Sequence, residues 1–167
     1  MRSVQARIQP CLWFDTQAEE AVRFYTGVFA DSRIGAITHY PEAGREQHGK
    51  PPGSVMPVAF ELLGQPMLAL NGGPHFKFSP ALSLMVLCDT QDEIDHYWNA
   101  LSQGGDPAAQ ECGWLKDRYG LSWQVVPTPV IDMLKDPDTA RQQRAMGAVM
   151  KMIKIDIAEA RRAYEQG

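Results

Sequence analysis

The stretch Phe14-Asp15-Thr16-Gln17-Ala18-Glu19 returns 74 positions later as Cys88-Asp89-Thr90-Gln91-Asp92-Glu93. A chain that repeats one helix-start signal at this distance is constrained to fold as two copies of one module. Each copy follows an apolar, strand-like run (residues 11–14 and 82–88) and opens a helix. Thr16 with Glu19, and Thr90 with Glu93, have the Thr-x-x-Glu spacing of a capping box: the hydroxyl accepts from the third helical amide while the carboxylate reaches back to the cap. The helices that follow carry matching apolar stripes, Ala18, Ala21, Val22, Tyr25 and Phe29 in the first and Ile94, Tyr97, Trp98 and Leu101 in the second. That is the spacing of a buried helix face. The second helix is expected to stop at Gly104-Gly105.

Further strands are expected behind each helix. Residues 33–40 are β-compatible, a Pro/Gly-rich loop follows over 41–53, and runs at 55–63 and 67–70 flank Gly64-Gln65 as a hairpin turn. After the second helix, residues 108–112, 114–116 and 122–126 give three short strands. The reading is α+β, with two βαβββ modules over about 6–72 and 80–127 and a helical tail over about 129–166. Residues 71–80 join the modules. Only two copies fit, which excludes a solenoid. In the tail, Pro127 and Pro129 break the last strand, and residues 133–137 read as a short helix or turn. Met146, Val149, Met150 and Ile153 form a stripe expected to pack on the parent domain or a second subunit. Asp156 with Glu159 caps a last helix, and a homodimer is expected.

With 167 residues, 44% of them hydrophobic, the chain can build one such core. No apolar run reaches the roughly 18–20 residues that span a bilayer. The opening residues have no apolar stretch after their charges, so they do not read as a signal peptide, and a cytoplasmic protein without membrane partners is expected. The net charge is −4. Arg141, Arg144, Lys151 and Lys154 cluster only at helical spacing among acids and glutamines, which argues against nucleic acid as a partner, since that needs a concentrated positive surface. Cys11, Cys88 and Cys112 are odd in number and far apart, giving neither a disulfide framework nor a CxxC metal site; Cys11 and Cys88 read as small buried hydrophobes.

Pro10-Cys11-Leu12-Trp13-Phe14, Ala18-Glu19-Glu20-Ala21, Phe24-Tyr25, Asn71-Gly72-Gly73-Pro74-His75-Phe76-Lys77-Phe78 and Cys112-Gly113-Trp114-Leu115-Lys116-Asp117 resemble the PhnB-like proteins, as does the stretch from Trp123 to Met152. The resemblance covers nearly the whole chain. It implies the vicinal-oxygen-chelate fold of the glyoxalase/bleomycin-resistance/dioxygenase superfamily: two βαβββ modules curling into a half-barrel around a cleft, often completed by dimerisation. Members often carry the label 3-demethylubiquinone-9 3-methyltransferase. The residues give methyl transfer no independent support, because Asn71-Gly72-Gly73 leads into Pro74 and there is no GxGxxG.

Enzymes of that superfamily hold a divalent ion with His, Glu or Gln ligands on inner-facing strand positions, where it polarises substrate oxygens. Strand alternation places Gln9, Cys11 and Trp13, then Ser83, Met85 and Leu87, then Met67, Ala69 and Asn71 on the cleft face. Gln124 stands where metal-binding relatives typically have Glu. Gln9, Asn71, Ser83 and Gln124 offer no negative charge and no imidazole, and Glu61 is a single acid, so no metal and no other cofactor is expected. His39 and His48 border the loop, His96 lies on the polar side of its helix, and only His75 is near the cleft mouth.

The expected site is therefore a small-molecule pocket of aromatic and amide side chains: Gln9, Trp13, Glu61, Asn71, His75, Lys77, Ser83, Trp114, Lys116 and Gln124. His75 and Lys77 could hold an anionic or carbonyl oxygen, Trp114 could stack on a flat ligand, and Lys116 with Asp117 could act at the rim. Structural readings stand beside these. Residues 71–74 also read as a plain linking turn, Phe76 and Phe78 as core plugs, Lys116-Asp117 as an exposed ion pair, and Trp123 as packed under a helix. No nucleophile–base pair can be named, so whether the chain is an enzyme stays open. Three functions remain: a metal-independent small-molecule binder, a metal-dependent isomerase, lyase or dioxygenase, and a methyltransferase.

Overall fold

The computed structural model describes residues 8–166. The opening residues 1–7, where no leader was expected and where the first module was placed to begin, lie outside the described residues. The chain divides into two compact units between Lys77 and Phe78.

The first unit runs β1 (Cys11–Phe14), α1 (Ala18–Val28), β2 (Arg33–His39), the short α2 (Arg45–His48), β3 (Val55–Leu62) and β4 (Gln65–Asn71), with the strands ordered β1-β4-β3-β2. This is one complete βαβββ module. β1 lies parallel to β4, and β3 and β4 form an antiparallel hairpin. The hairpin turn falls at Leu63-Gly64, one residue before the expected Gly64-Gln65, because Leu62 pairs with Gln65. Both turn residues have positive φ (49° and 81°), as a two-residue turn matched to strand twist requires. Leu12 and Phe14 of β1 and Val58, Phe60 and Leu62 of β3 are buried with Ala18, Ala21, Val22 and Tyr25 of α1.

Two expectations fail in this unit, for one reason. Met67, Ala69 and Asn71 were placed on the open face of β4, yet all three are buried on the helix side. The parallel register pairs Leu12 with Ala69 and Phe14 with Asn71, and paired residues share a face of the sheet. The capping box of Thr16 and Glu19 also does not form. Glu19 pairs with Arg23 at 2.6 Å, and the helix start is satisfied from across the sheet, where Asn71 Oδ1 accepts from the Ala18 amide at 2.8 Å. Asn71 Nδ2 donates to the Val55 carbonyl at 3.2 Å, and the Tyr40 hydroxyl donates to the Asn71 carbonyl at 2.7 Å.

The second unit runs β5 (Ser83–Cys88), α3 (Gln91–Ser102), a 3-10 turn (Pro107–Ala109), β6 (Trp114–Lys116), β7 (Ser122–Pro127), α4 (Thr128–Leu134), α5 (Thr139–Val149) and α6 (Ile157–Glu165). Its sheet is ordered β5-β7-β6, with β5 parallel and β6 antiparallel to β7. Val86, Cys88, Leu115, Trp123 and Val125 are buried with Ile94, Trp98 and Leu101 of α3. Here the capping box of Thr90 and Glu93 is complete.

The strand expected over 108–112 is absent. Asp106 caps a turn opened by Pro107, which has no amide hydrogen to give a ladder. Only Glu111 makes an isolated bridge, to Trp114. The amides of Cys112 and Gly113 donate instead to the Met152 and Ile153 carbonyls, both at 2.8 Å. The tail is thus stitched to the module, and Gln91 reinforces this: it accepts from the Ile157 amide at 3.0 Å and donates to the Ile155 carbonyl at 3.2 Å. Val130, Met133, Ala145, Val149, Met152, Ile155 and Ala160 form the core of the tail. Of the expected stripe only Val149 is in that core, while Met146, Met150 and Ile153 are exposed. Among the described residues no helix is long and apolar enough to cross a membrane.

The Asn71 carboxamide ties α1, β3 and β4 together. Asn71→Ala leaves a helix-start amide and a strand carbonyl without their partner, so it is expected to cost about 2–4 kcal/mol. Urea unfolding should show a lower midpoint at unchanged slope.

Candidate functional site

Each unit presents a sheet face opposite its helix. In the first unit, register puts Cys11 and Trp13 of β1, Leu68 and Leu70 of β4, and Ala59 and Glu61 of β3 on this face. Trp13 dominates one end of it. A methyl group on Gly72 would fall 2.1 Å from Cζ2 of the Trp13 ring, so the indole lies directly against a backbone that only glycine can provide. The Trp13 indole N–H donates to the Gly73 carbonyl at 2.8 Å. Phe76 meets the indole edge-on at 4.9 Å between centroids and is 65% exposed, so it is a wall of the site and not the core plug considered above.

The segment 71–74 is thus more than a linking turn: Asn71 caps a helix, Gly72 admits an indole, and Gly73 turns at φ 99°. A methyl group on Gly73 would fall 2.8 Å from Lys50 Nζ and 3.6 Å from His75 Cδ2. Lys50 and His75 therefore both lie beside Gly73, whose carbonyl holds the Trp13 indole. Lys50 is a residue that sequence reasoning missed. It lies in the Pro/Gly-rich loop, and His48 fixes its start: His48 Nδ1 accepts from the Lys50 amide at 3.0 Å while its ring rests 4.7 Å from that of Tyr40. The His48 proton then belongs on Nε2, which is buried and has no partner among the described residues. Lys77 is exposed, two residues beyond His75.

Glu61 and Gln9 do not join this group. Glu61 pairs across the strands with Pro66, five residues along β4 from Asn71 and so about 16 Å away, and its carboxylate is bound by Arg33 at 2.7 Å. Gln9 is exposed ahead of β1, toward the Pro66 end.

In the second unit the open face carries Ser83, Met85 and Leu87 of β5, Ser122, Gln124 and Val126 of β7, and Trp114 and Lys116 of β6. Met85 and Leu87 are more than half exposed. Gln124 Nε2 donates to Ser83 Oγ at 2.8 Å. Trp114 pairs with Gln124, and Lys116 with Ser122. Where the expected edge strand is missing, a cavity of about 460 Å³ opens beside β6, lined by Asp106, Glu111, Trp114, Lys116 and Ser122 among others. Neither Glu111 nor Lys116 has an ion-pair partner among the described residues. Asp117 is not at the rim and forms no ion pair with Lys116. It is 2% exposed and accepts from the Tyr119 and Leu121 amides at 2.8 and 3.1 Å and from the Trp123 indole at 2.8 Å, holding the β6–β7 turn. Trp123 is buried on the helix side.

These donors do not suit a divalent ion. The Asn71 oxygen is taken by a helix amide, Gln124 is engaged with Ser83, and Glu61 is neutralised by Arg33. Among the described residues no three His, Cys, Asp or Glu side chains gather as ligands. All three cysteines are free. Cys88 is fully buried, and burial, helped by Glu93 and Asp89, pushes its thiol up to about 12, so it is no nucleophile at neutral pH. Cys11, expected as a small buried hydrophobe, is exposed on the open face of β1, though partial desolvation raises its thiol.

Two modules with parallel outer pairs, each backed by one helix, define a vicinal-oxygen-chelate protein whose open faces carry aromatic, amide and cationic groups. A model of the family described as 3-demethylubiquinone-9 3-methyltransferase matches residues 6–126, and the chain belongs to this PhnB-like family. Among solved structures, the PhnB protein from Bacillus cereus is 36% identical, covering 73% of this chain and 99% of its own, with a TM-score of 0.61. Protein PA1353 from Pseudomonas aeruginosa shares the fold at 19% identity, covering 74% and 98%, with a TM-score of 0.56. No curated protein matches the chain.

Two outcomes test this geometry. Gly72→Ala should displace the indole and cost about 1–3 kcal/mol. Much of that loss should vanish when Trp13→Ala is the background, because the two substitutions share one contact. In the native protein at pH 8, iodoacetamide should label Cys88 roughly a thousandfold more slowly than in the unfolded chain, as follows from the shortage of thiolate; mass spectrometry of timed samples reads this directly.

Proposed function

We propose that the chain binds a small organic molecule without help from a metal ion, in the cavity beside β6. The observation that carries this reading is the convergence of Trp114 and Lys116 on a cavity of about 460 Å³, a volume within the range of ligand pockets. Trp114 supplies a flat apolar surface, Lys116 and Glu111 supply opposite charges with no ion-pair partner among the described residues, and Ser122 lines the same cavity. Such a pocket holds and orients a ligand by stacking and charge. It contains no paired nucleophile and base, so binding is the activity it supports. The three free cysteines are consistent with a reducing compartment.

A second reading, methyl transfer, is favoured by the description of the family alone. Its test is a calorimetric titration with S-adenosylmethionine, which should give no heat of binding if the first reading holds.

For the first reading, a metabolite library screened by thermal shift should give ligands that raise Tm. Trp114→Ala and Lys116→Met should each weaken such a ligand about tenfold or more while leaving the unliganded Tm within a few degrees. Elemental analysis of the purified protein should find far less than one metal ion per chain, and chelator treatment should leave ligand affinity unchanged. A stoichiometric ion whose removal abolishes binding would overturn metal independence.

A further inference from the structure

We infer that the first unit carries an anion-binding site of its own, built by Lys50 and His75 over the Gly73 peptide and walled by Trp13 and Phe76, and that it takes a small carboxylate attached to a flat apolar body. The inference uses residues of the first unit alone and does not depend on the cavity beside β6.

The Lys50 ammonium carries the argument. The residue is half-buried, its Nζ lies 2.8 Å from where a methyl group on Gly73 would stand, and it has no ion pair among the described residues. Glu42 pairs with Arg45 at 3.5 Å, while Asp15, whose carbonyl accepts from the Gly73 amide, and Glu46 make no ion pair with Lys50. A partly desolvated cation without a counter-charge favours an anion from solution. The His75 ring lies 3.6 Å from the Gly73 methyl position, and exposed Lys77 follows it in the chain.

The aromatic pair defines the rest of the ligand. The Trp13 indole is locked by its bond to the Gly73 carbonyl and by the bare backbone of Gly72. Phe76 stands edge-on to it with most of its surface exposed. A rigid ring wall beside a cation fits a planar acid, with the carboxylate toward Lys50 and the ring against Trp13 and Phe76. Sequence reading alone had supplied His75 and Lys77 without the charge that completes them.

The test is a titration of the full chain with benzoate, benzyl alcohol and acetate, followed by the Trp13 indole N–H signal in 1H–15N spectra, assigned with Trp13→Phe. Benzoate should shift that signal saturably. Benzyl alcohol, which lacks the charge, and acetate, which lacks the ring, should each bind at least about tenfold more weakly. Lys50→Gln should weaken benzoate by a similar factor and Lys50→Arg should largely restore it, with unchanged spectra elsewhere showing that both variants fold. Equal affinity for benzoate and benzyl alcohol would overturn the anion assignment, and equal affinity for benzoate and acetate would overturn the ring assignment. Lys50→Gln without effect, or an unmoved Trp13 signal up to tens of millimolar benzoate, would overturn the site itself.

Discussion

The end of the first sheet depends on the carboxamide of Asn71. A helix start leaves amides without partners, and α1 has no side-chain cap of its own. Because β1 and β4 are parallel neighbours in register, the last residue of β4 lies beside the last residue of β1, where the chain leaves for the helix. One buried amide there can serve α1 and β3 together, and it does. With Asn71 turned inward, the next two residues emerge at the edge of the sheet in a fixed direction. Gly72 and Gly73 then present bare backbone to Trp13 and Lys50. The aromatic and cationic cluster is a consequence of that helix cap.

The second unit meets the same demands by different means. Its helix is capped locally by Thr90 and Glu93, so the end of its last strand is free of that duty. Pro127 stands there instead and passes the chain into α4. Its sheet lacks the edge strand that the first module has, and the unpaired amides of Cys112 and Gly113 are satisfied by the tail. The segment that might have covered β6 stands off as a 3-10 turn, and the cavity lies between them. A repeat visible in sequence thus marks equivalent positions without fixing which bonds fill them.

That difference explains what was legible. The stripes of α1 and α3 could be read because their buried residues recur at helical spacing, Ala18, Ala21, Val22 and Tyr25 in the one and Ile94, Trp98 and Leu101 in the other. β4 could not, since Met67, Ala69 and Asn71 alternate with Leu68 and Leu70, and both faces are apolar enough to be the inner one. A polar residue at its end naturally reads as outward-facing, unless it is known to cap a distant helix. Lys50 was hidden for another reason. Nothing in a Pro/Gly-rich loop announces that its last lysine will return to a glycine 23 residues away. Tertiary approach, not local pattern, made it part of the site.

The chemistry open to the molecule follows from which polar groups are already used. Asn71, Asp117, Glu61 and Gln124 are polar residues that might have marked a metal or catalytic centre, and each is engaged inside the protein. Their internal partners supply what a ligand or ion would otherwise have to supply, so removing those partners would cost more than most ligands return. Lys50 in the first unit and Glu111 and Lys116 in the second are among the charged side chains that make no ion pair among the described residues. In both proposed sites the polar contribution comes from charges set beside aromatic rings. In the proposed sites, such an arrangement would select ligands by charge placement and flatness.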